Sequence, residues 1–331
     1  MSASVDADKA SGLMNLFSYT NLVHAVSGAS GSVIAISVFY PLDTVRTRLQ
    51  VDDHRRAKNT YEALKDIIRE EGLTGIYRGW QSMANTMFVS SFVYFYTYAS
   101  FQYIHHSVLG TQMPAPTSKH TGSIYTMFID LLIAFLAGVV NVLITTPLWV
   151  ANTRLKLQGA KLHTAHYNKH DDSNKNADQK YTGILDCLMK IVNTEGIQKL
   201  WGGTVASILL ATNPAIQFMV YEALKRYFRH LFHVAELSGL MYFILGAIAK
   251  TVSTVITYPL QVIQSRLRAG YAKHESSLTL VENLLHLIKT RGFGALYKGM
   301  EAKLLQTVFT AALMFLIYEK IAAFIFRLMG L

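Results

Sequence analysis

The chain has 331 residues, 51% apolar and only 16% charged, with a mean hydropathy of +0.25 and a net charge of +10. So little charge excludes an ordinary soluble domain; the basic residues sit at the ends of apolar runs, which excludes a nucleic-acid partner and leaves anionic ligands or lipid surfaces. A single cysteine, Cys187, excludes a disulfide framework and a cysteine metal site, and it reads as a small apolar residue of a connecting helix.

After an N-terminal tail (residues 1–20), a first unit occupies residues 21–110. Its apolar stretch at 22–41 holds Gly28 and Gly31 and closes on Pro41-Leu42, with Asp43, Arg46 and Arg48 directly behind. Residues 61–72 place Leu64, Ile67 and Ile68 on one face and charges on the other. That is the pattern of a helix lying along a membrane surface, stopped by Gly72. Glu71-Gly72 also opens a second signature that ends in Tyr77-Arg78-Gly79, and another apolar stretch covers 83–104.

The second unit, residues 124–228, repeats the order. Its apolar stretch at 124–150 contains Ala134, Ala137 and Gly138 and closes on Pro147-Leu148, followed by Trp149, Asn152 and Arg154. Glu195-Gly196 and Trp201-Gly202-Gly203 form its second signature, ahead of an apolar stretch at 204–224. The third unit, residues 236–328, has apolar stretches at 239–260 and 303–326. Gly246 and Ala249 precede Pro259-Leu260, then come Gln261, Gln264 and Arg266, a surface-helix pattern at 280–292, and Arg291-Gly292 with Tyr297-Lys298-Gly299. From proline to last glycine the units measure 38, 56 and 40 residues, so the middle one carries an insertion. Residues 159–180 supply it. They are rich in His, Asn, Asp and Lys with no apolar period, which predicts a solvated loop. His163, His166 and His170 within it lack the fixed spacing of a metal site, so no metal is predicted.

Each apolar stretch approaches the ~20 residues that cross ~30 Å of hydrocarbon as a helix. The chain therefore predicts an all-α membrane protein: six transmembrane helices in three tandem repeats, joined by short surface helices. Small residues before each proline let helix backbones approach closely. Pro41, Pro147 and Pro259 each remove an N–H from the helical ladder, predicting three helices kinked alike that converge into a cup. No phosphate-binding glycine loop or catalytic triad appears, and no enzyme is predicted.

The paired signatures, spread over residues 20–326, resemble those of the mitochondrial carrier family. That family repeats Pro-x-Asp/Glu-x-x-Lys/Arg-x-Lys/Arg and Asp/Glu-Gly-x4-aromatic-Lys/Arg-Gly three times. The resemblance implies a pseudo-threefold bundle with a central substrate site and alternating access. It also implies a ring of ion pairs at each end, the acid of one repeat facing the base of the next. Beside the prolines, the acid positions read Asp43, Trp149 and Gln261, and the base positions Arg46, Asn152 and Gln264. Cyclic pairing sets Asp43 against Asn152, Trp149 against Gln264 and Gln261 against Arg46, with no complete ion pair. The opposite ring sets Ala99 against Lys225, Glu222 against Ala322 and Glu319 against Gln102, again with none complete. Such rings predict a small energy difference between the two open states and some uncoupled transport.

Three strings (139–150, 213–219 and 299–307) are similar to the peroxisomal branch of the family. This implies a multi-pass peroxisomal membrane protein, surrounded by lipid and delivered by the peroxisomal membrane-protein import receptor. Its substrates would be adenine-containing cofactors and nucleotides: CoA, FAD, NAD, AMP, adenosine 3′,5′-bisphosphate and ATP. These would be cargo, with no bound cofactor. A mitochondrial inner-membrane carrier for another organic anion, or a non-transporting scaffold on the same fold, are the alternatives.

The polar residues inside the spans are the candidate binding set. Lys250 lies nine residues before Pro259, about 13 Å along the axis at ~1.5 Å per residue, with Thr254 on its face. It either holds a substrate phosphate or pairs with a carboxylate such as Glu301. Lys303 heads a stripe with Gln306, and either lines the cavity or snorkels to the interface. Asn213 and Gln217, with Pro214 freeing a carbonyl between them, offer carboxamides to adenine or to a neighbouring helix. Tyr94 either stacks on a purine or isoalloxazine ring or packs in the bundle. Asn141, with Thr145, completes the lining.

Overall fold

The computed structural model describes residues 19–52, 59–109, 124–160, 181–234, 236–270 and 279–328. The elements among them are all helical. They are α1 (Tyr19–Val51), α2 (Thr60–Ile76), α3 (Trp80–Leu109), α4 (Ile124–Leu157) and α5 (Ile184–Glu195). After these come α6 (Thr204–Leu210), α7 (Asn213–Phe232), α8 (Gly239–Ala269), α9 (Leu280–Arg291) and α10 (Met300–Leu328). Single 3₁₀ turns at Ile197–Trp201 and Phe293–Tyr297 precede α6 and α10.

The protein is an all-helical membrane protein whose six spans are α1, α3, α4, the α6–α7 pair, α8 and α10. Among the described residues, Ile129–Leu157, Ile197–Phe232 and Gly239–Ala269 are long and apolar enough to cross a membrane by composition alone. In α3 the apolar run is diluted by Ser90, Ser91, Tyr94, Tyr98 and Ser100, while Phe88, Phe92 and Phe95 remain on its exposed face. α3 packs on α4, α7 on α8 and α10 on α1. The second span of each repeat thus meets the first span of the next, and the ring closes.

The apolar stretches suggested that the odd spans finish near their prolines. Instead α1, α4 and α8 run ten residues further, to Val51, Leu157 and Ala269. The proline marks where the helix turns amphipathic. Its missing N–H leaves a carbonyl four residues back to be satisfied elsewhere. For Pro147 that carbonyl is Leu143, and Trp201 Nε1 donates to it at 2.9 Å. Tyr40 and Tyr258, each directly before its proline, donate their hydroxyls to the carbonyls of Arg78 (2.8 Å) and Lys298 (2.9 Å). These bonds tie each odd span to the loop that enters its own even span.

The surface helices α2, α5 and α9 fill the corner between that loop and the turns past the proline. Ile67 and Ala63 of α2 pack on Val45 and Leu49, with Leu64 and Ile68 beside them, on the face the sequence indicates. Cys187 and Ile191 of α5 pack on Val150 and Ala151, and Leu287 of α9 on Tyr258 and Val262. Two of these corners are also clamped by charge. Arg48 and Arg154, each seven residues past a proline, form two-pronged pairs with Glu71 and Glu195. In the third repeat Arg291 stands where the acid would be.

The last glycine of each signature meets the next repeat. Gly79 has φ +80°, and a Cβ there would stand 3.1 Å from Lys156 Cα. Gly203 and Gly299 repeat the geometry against the backbone of Gln264 and Arg46. Only glycine combines that φ with so close an approach.

One expected span is interrupted. The 204–224 stretch breaks at Ala211-Thr212 into α6 and α7, and Pro214 opens α7 instead of freeing a carbonyl inside a continuous helix. A proline in the first turn removes a donor that has no helical partner anyway. Most of the insertion, residues 161–180, lies outside the described residues.

Arg48→Gln should leave the buried Glu71 carboxylate with only its longer pair to Arg78 at 3.3 Å, and cost about 1.5–3 kcal/mol of stability. Lys190→Gln, whose partner Asp186 is partly exposed, should cost far less. Melting midpoints of both variants in detergent check the ordering. Burial pushes the Cys187 thiol up to about 12. Maleimide at neutral pH should therefore leave it unmodified until the protein is melted, as mass spectrometry would show.

Candidate functional site

The turns past the three prolines meet on the bundle axis and carry the expected ring residues. Arg46 Nη2 donates to Gln261 Oε1 at 2.8 Å, as cyclic pairing predicts. The other two contacts differ. Asp43 does not rest on Asn152; it forms a buried ion pair with Lys156, with Arg46 at 3.7 Å on its other side. Trp149 does not meet Gln264; the Arg268 guanidinium lies over its ring, 5.6 Å from the centroid. Gln264 donates instead to Ser207 Oγ at 2.7 Å, and Arg268 donates to the same oxygen at 3.0 Å. Asn152 is buried, and its Oδ1 accepts from nothing among the described residues. The expectation of a ring without an ion pair is thus corrected, because a lysine outside the signature fills the gap.

Lys156 and Arg268 were missed because the signature stops seven residues after the proline and these stand nine after it. A usable trace exists. Arg46 is followed four residues on by Gln50, Asn152 by Lys156 and Gln264 by Arg268, so every repeat has one base and one amide on this face.

Farther into the bundle the candidate cations lie close together. Lys303 on α10 is within electrostatic reach of Arg46, Asp43, Lys156 and Lys250. Neither Lys250 nor Lys303 forms an ion pair among the described residues. Glu301, offered above as a partner for Lys250, is exposed and accepts from the Thr60 backbone N–H at 3.1 Å, where it caps α2. Thr254 is buried beside Lys250 and donates back to its carbonyl at 2.7 Å. Gln306 is buried one turn past Lys303, with Oε1 unpartnered among the described residues.

The remaining candidates line the walls. Asn141 exchanges hydrogen bonds with Ser90 at 3.1 and 3.3 Å. Tyr94 stacks on Tyr98 at 6.2 Å with its ring half-exposed. Asn213 donates to Thr257 at 2.8 Å and accepts from Ser253 at 2.6 Å, so both ends of its carboxamide serve the α7–α8 contact. Gln217, one turn on, is half-buried. A crevice of about 590 Å³ runs between α4 and the α6–α7 break. Tyr94 and Asn141 lie on its wall, Trp149, Gln264 and Arg268 at its floor, and Leu131, Phe135 and Ala215 give it an apolar side.

At the far end Lys225 pairs with Glu222 of its own helix at 3.1 Å, and Gln102 donates to Tyr98 of its own helix at 2.9 Å. Glu319 lies in α10, but its side chain is outside the described residues. Among the described residues no ion pair crosses between repeats there. The charged links between repeats, among the described residues, lie at the proline end.

A threefold bundle with charged turns past three prolines and a cation-rich interior defines a class, and the chain belongs to it. It is a member of the mitochondrial carrier family, whose mitochondrial carrier protein pattern matches residues 17–107, 124–231 and 235–328. It is 50% identical over 326 residues to the peroxisomal membrane protein PMP34 of Mus musculus, covering 96% of this chain and 98% of that one. It is 32% identical over 319 residues to the peroxisomal nicotinamide adenine dinucleotide carrier of Arabidopsis thaliana, covering 91% and 95%. To the peroxisomal adenine nucleotide transporter 1 of Saccharomyces cerevisiae it is 29% identical over 314 residues, covering 89% of each.

Asn213→Ala removes a helix–helix contact and should lower stability by about 1–2 kcal/mol. If the carboxamide also read a ligand, affinity would fall in the same variant. Comparing the melting midpoint with nucleotide affinity in Asn213→Ala and Ser253→Ala separates the roles, because Ser253→Ala disturbs only the contact.

Proposed function

We propose that the protein is a peroxisomal membrane carrier that exchanges adenine-containing cofactors and nucleotides by alternating access. CoA, FAD, NAD, AMP, adenosine 3′,5′-bisphosphate and ATP are its substrates. The observation that carries this reading is the pair Lys250 and Lys303, two cations inside a membrane bundle with no ion-pair partner among the described residues. Uncompensated cations at that depth are costly, and phosphate groups supply the missing charge. The crevice that Arg268 borders accepts the uncharged part of such a molecule, with an aromatic ring and carboxamide on one wall and apolar side chains on the other. The names of the relatives support both the adenine-bearing cargo and the peroxisomal address. A membrane protein with that address calls for the peroxisomal import receptor as its partner in delivery.

Reconstitution tests the reading. Liposomes loaded with AMP should take up labelled CoA, FAD and AMP in exchange, and should ignore adenosine. Lys250→Ala should insert normally and depress exchange of every phosphate-bearing substrate about ten- to hundredfold, since one charge–phosphate contact is worth roughly 1.5–3 kcal/mol. No exchange above protein-free liposomes would overturn the carrier reading, and wild-type rates in Lys250→Ala would remove that lysine from the site.

A further inference from the structure

We infer that the proline end of the bundle is closed by Lys156 and Arg268, one helical turn beyond the positions where the repeat signature sets its bases, with Trp149 as a working link of that closure. The inference rests on the carrier reading above. Positions five and nine after each proline stack on one helix face. Repeat one has its base first, Arg46 before Gln50; repeats two and three have it second, Lys156 after Asn152 and Arg268 after Gln264. The displaced bases still cross to the preceding repeat. Lys156 reaches Asp43, with both side chains under a tenth exposed, and its ammonium also lies 5.1 Å from the Tyr40 ring centroid. Arg268 covers Trp149, and Arg46 bonds Gln261.

Each of the three repeat boundaries is therefore crossed by one charged side chain lying on the acid position of the preceding repeat. These links differ in kind: an ion pair, a cation on an aromatic face, and a charge–amide hydrogen bond. At the second boundary Gln264 and Arg268 also share Ser207. Gln50, freed from a charged role, bridges Tyr258 (3.0 Å) and Ser265 (2.7 Å) at the same boundary as Arg46. An aromatic ring at an acid position is thus not a gap, because the base placed one turn on has the length and direction to cover it. Alternating access requires all three links to break together when this end opens. Losing one should let it open without cargo.

The test is the ratio of uncoupled efflux to exchange in liposomes preloaded with AMP. This ratio does not depend on how much protein is folded. Lys156→Gln and Trp149→Leu should each raise it about tenfold, as expected for the loss of one buried charged contact or one cation–aromatic contact. Trp149→Phe keeps an aromatic face and should stay near wild type. Lys156→Arg keeps the cation opposite Asp43 and should stay near wild type. Trp149→Leu leaves the Asp43–Lys156 pair intact, so it carries the test if Lys156→Gln does not assemble. Wild-type ratios in Trp149→Leu and in Lys156→Gln, or an equal rise in Trp149→Phe and Trp149→Leu, overturn this inference while exchange itself leaves the carrier reading standing. Absence of exchange in the wild type takes down both.

Discussion

Asp43 is shared by three cations, Arg46, Lys156 and Lys303, with Lys250 beside Lys303 and Arg268 beside Arg46. Five positive groups gathered about one carboxylate, in a bundle set in lipid, leave an excess of positive charge among the described residues. The rest of the structure answers to that imbalance. On the proposed reading a phosphate-bearing ligand balances that charge, and the crevice that Arg268 borders holds the rest of it. The same imbalance shapes the ring at the proline end. With one acid for three bases, two of the three boundaries are bridged by a tryptophan face and a glutamine instead of a carboxylate.

The ring is held in place by parts that are not themselves in the cavity. Arg48–Glu71 and Arg154–Glu195 fix the turns past the first and second prolines to their surface helices. Three small apolar clusters complete the corners. Gly79 then sets the loop of the first repeat against the Lys156 backbone, and the other two glycines do likewise. A charged turn cannot shift without moving its neighbour's loop, because close-packed contacts transmit displacement. Opening of the ring is therefore a motion of whole repeats.

Much of this was legible in the chain. Three copies of two signatures gave the spans, their order and their closure, and the 3.6-residue pattern of Leu64, Ile67 and Ile68 gave the buried face of α2. Arg46 and Gln261 pair as the cyclic rule requires. The misses have distinct causes. Hydropathy records where apolarity stops, not where hydrogen bonding stops, so α1, α4 and α8 read short by ten residues. Pro214 reads the same in sequence whether it kinks a helix or starts one. Lys156 and Arg268 stood two residues outside a signature whose first base position, in those two repeats, is an amide. For Asn213, composition marks a polar group in a span but not whether a ligand or a neighbouring helix satisfies it, and the bonds to Thr257 and Ser253 exist only in three dimensions.

The central claim, that an uncompensated cluster of cations awaits phosphate, is tested most directly by the melting midpoint of the purified protein in detergent with adenosine, AMP, ATP and CoA at equal concentration. A ligand at free concentration c that binds the folded state alone stabilises it by RT ln(1 + c/Kd), and the midpoint rises accordingly. The account predicts no shift with adenosine, a measurable rise with AMP and larger rises with ATP and CoA, all shrinking as salt is added. Equal shifts from adenosine and ATP, or no shift from any phosphate-bearing ligand, would contradict it.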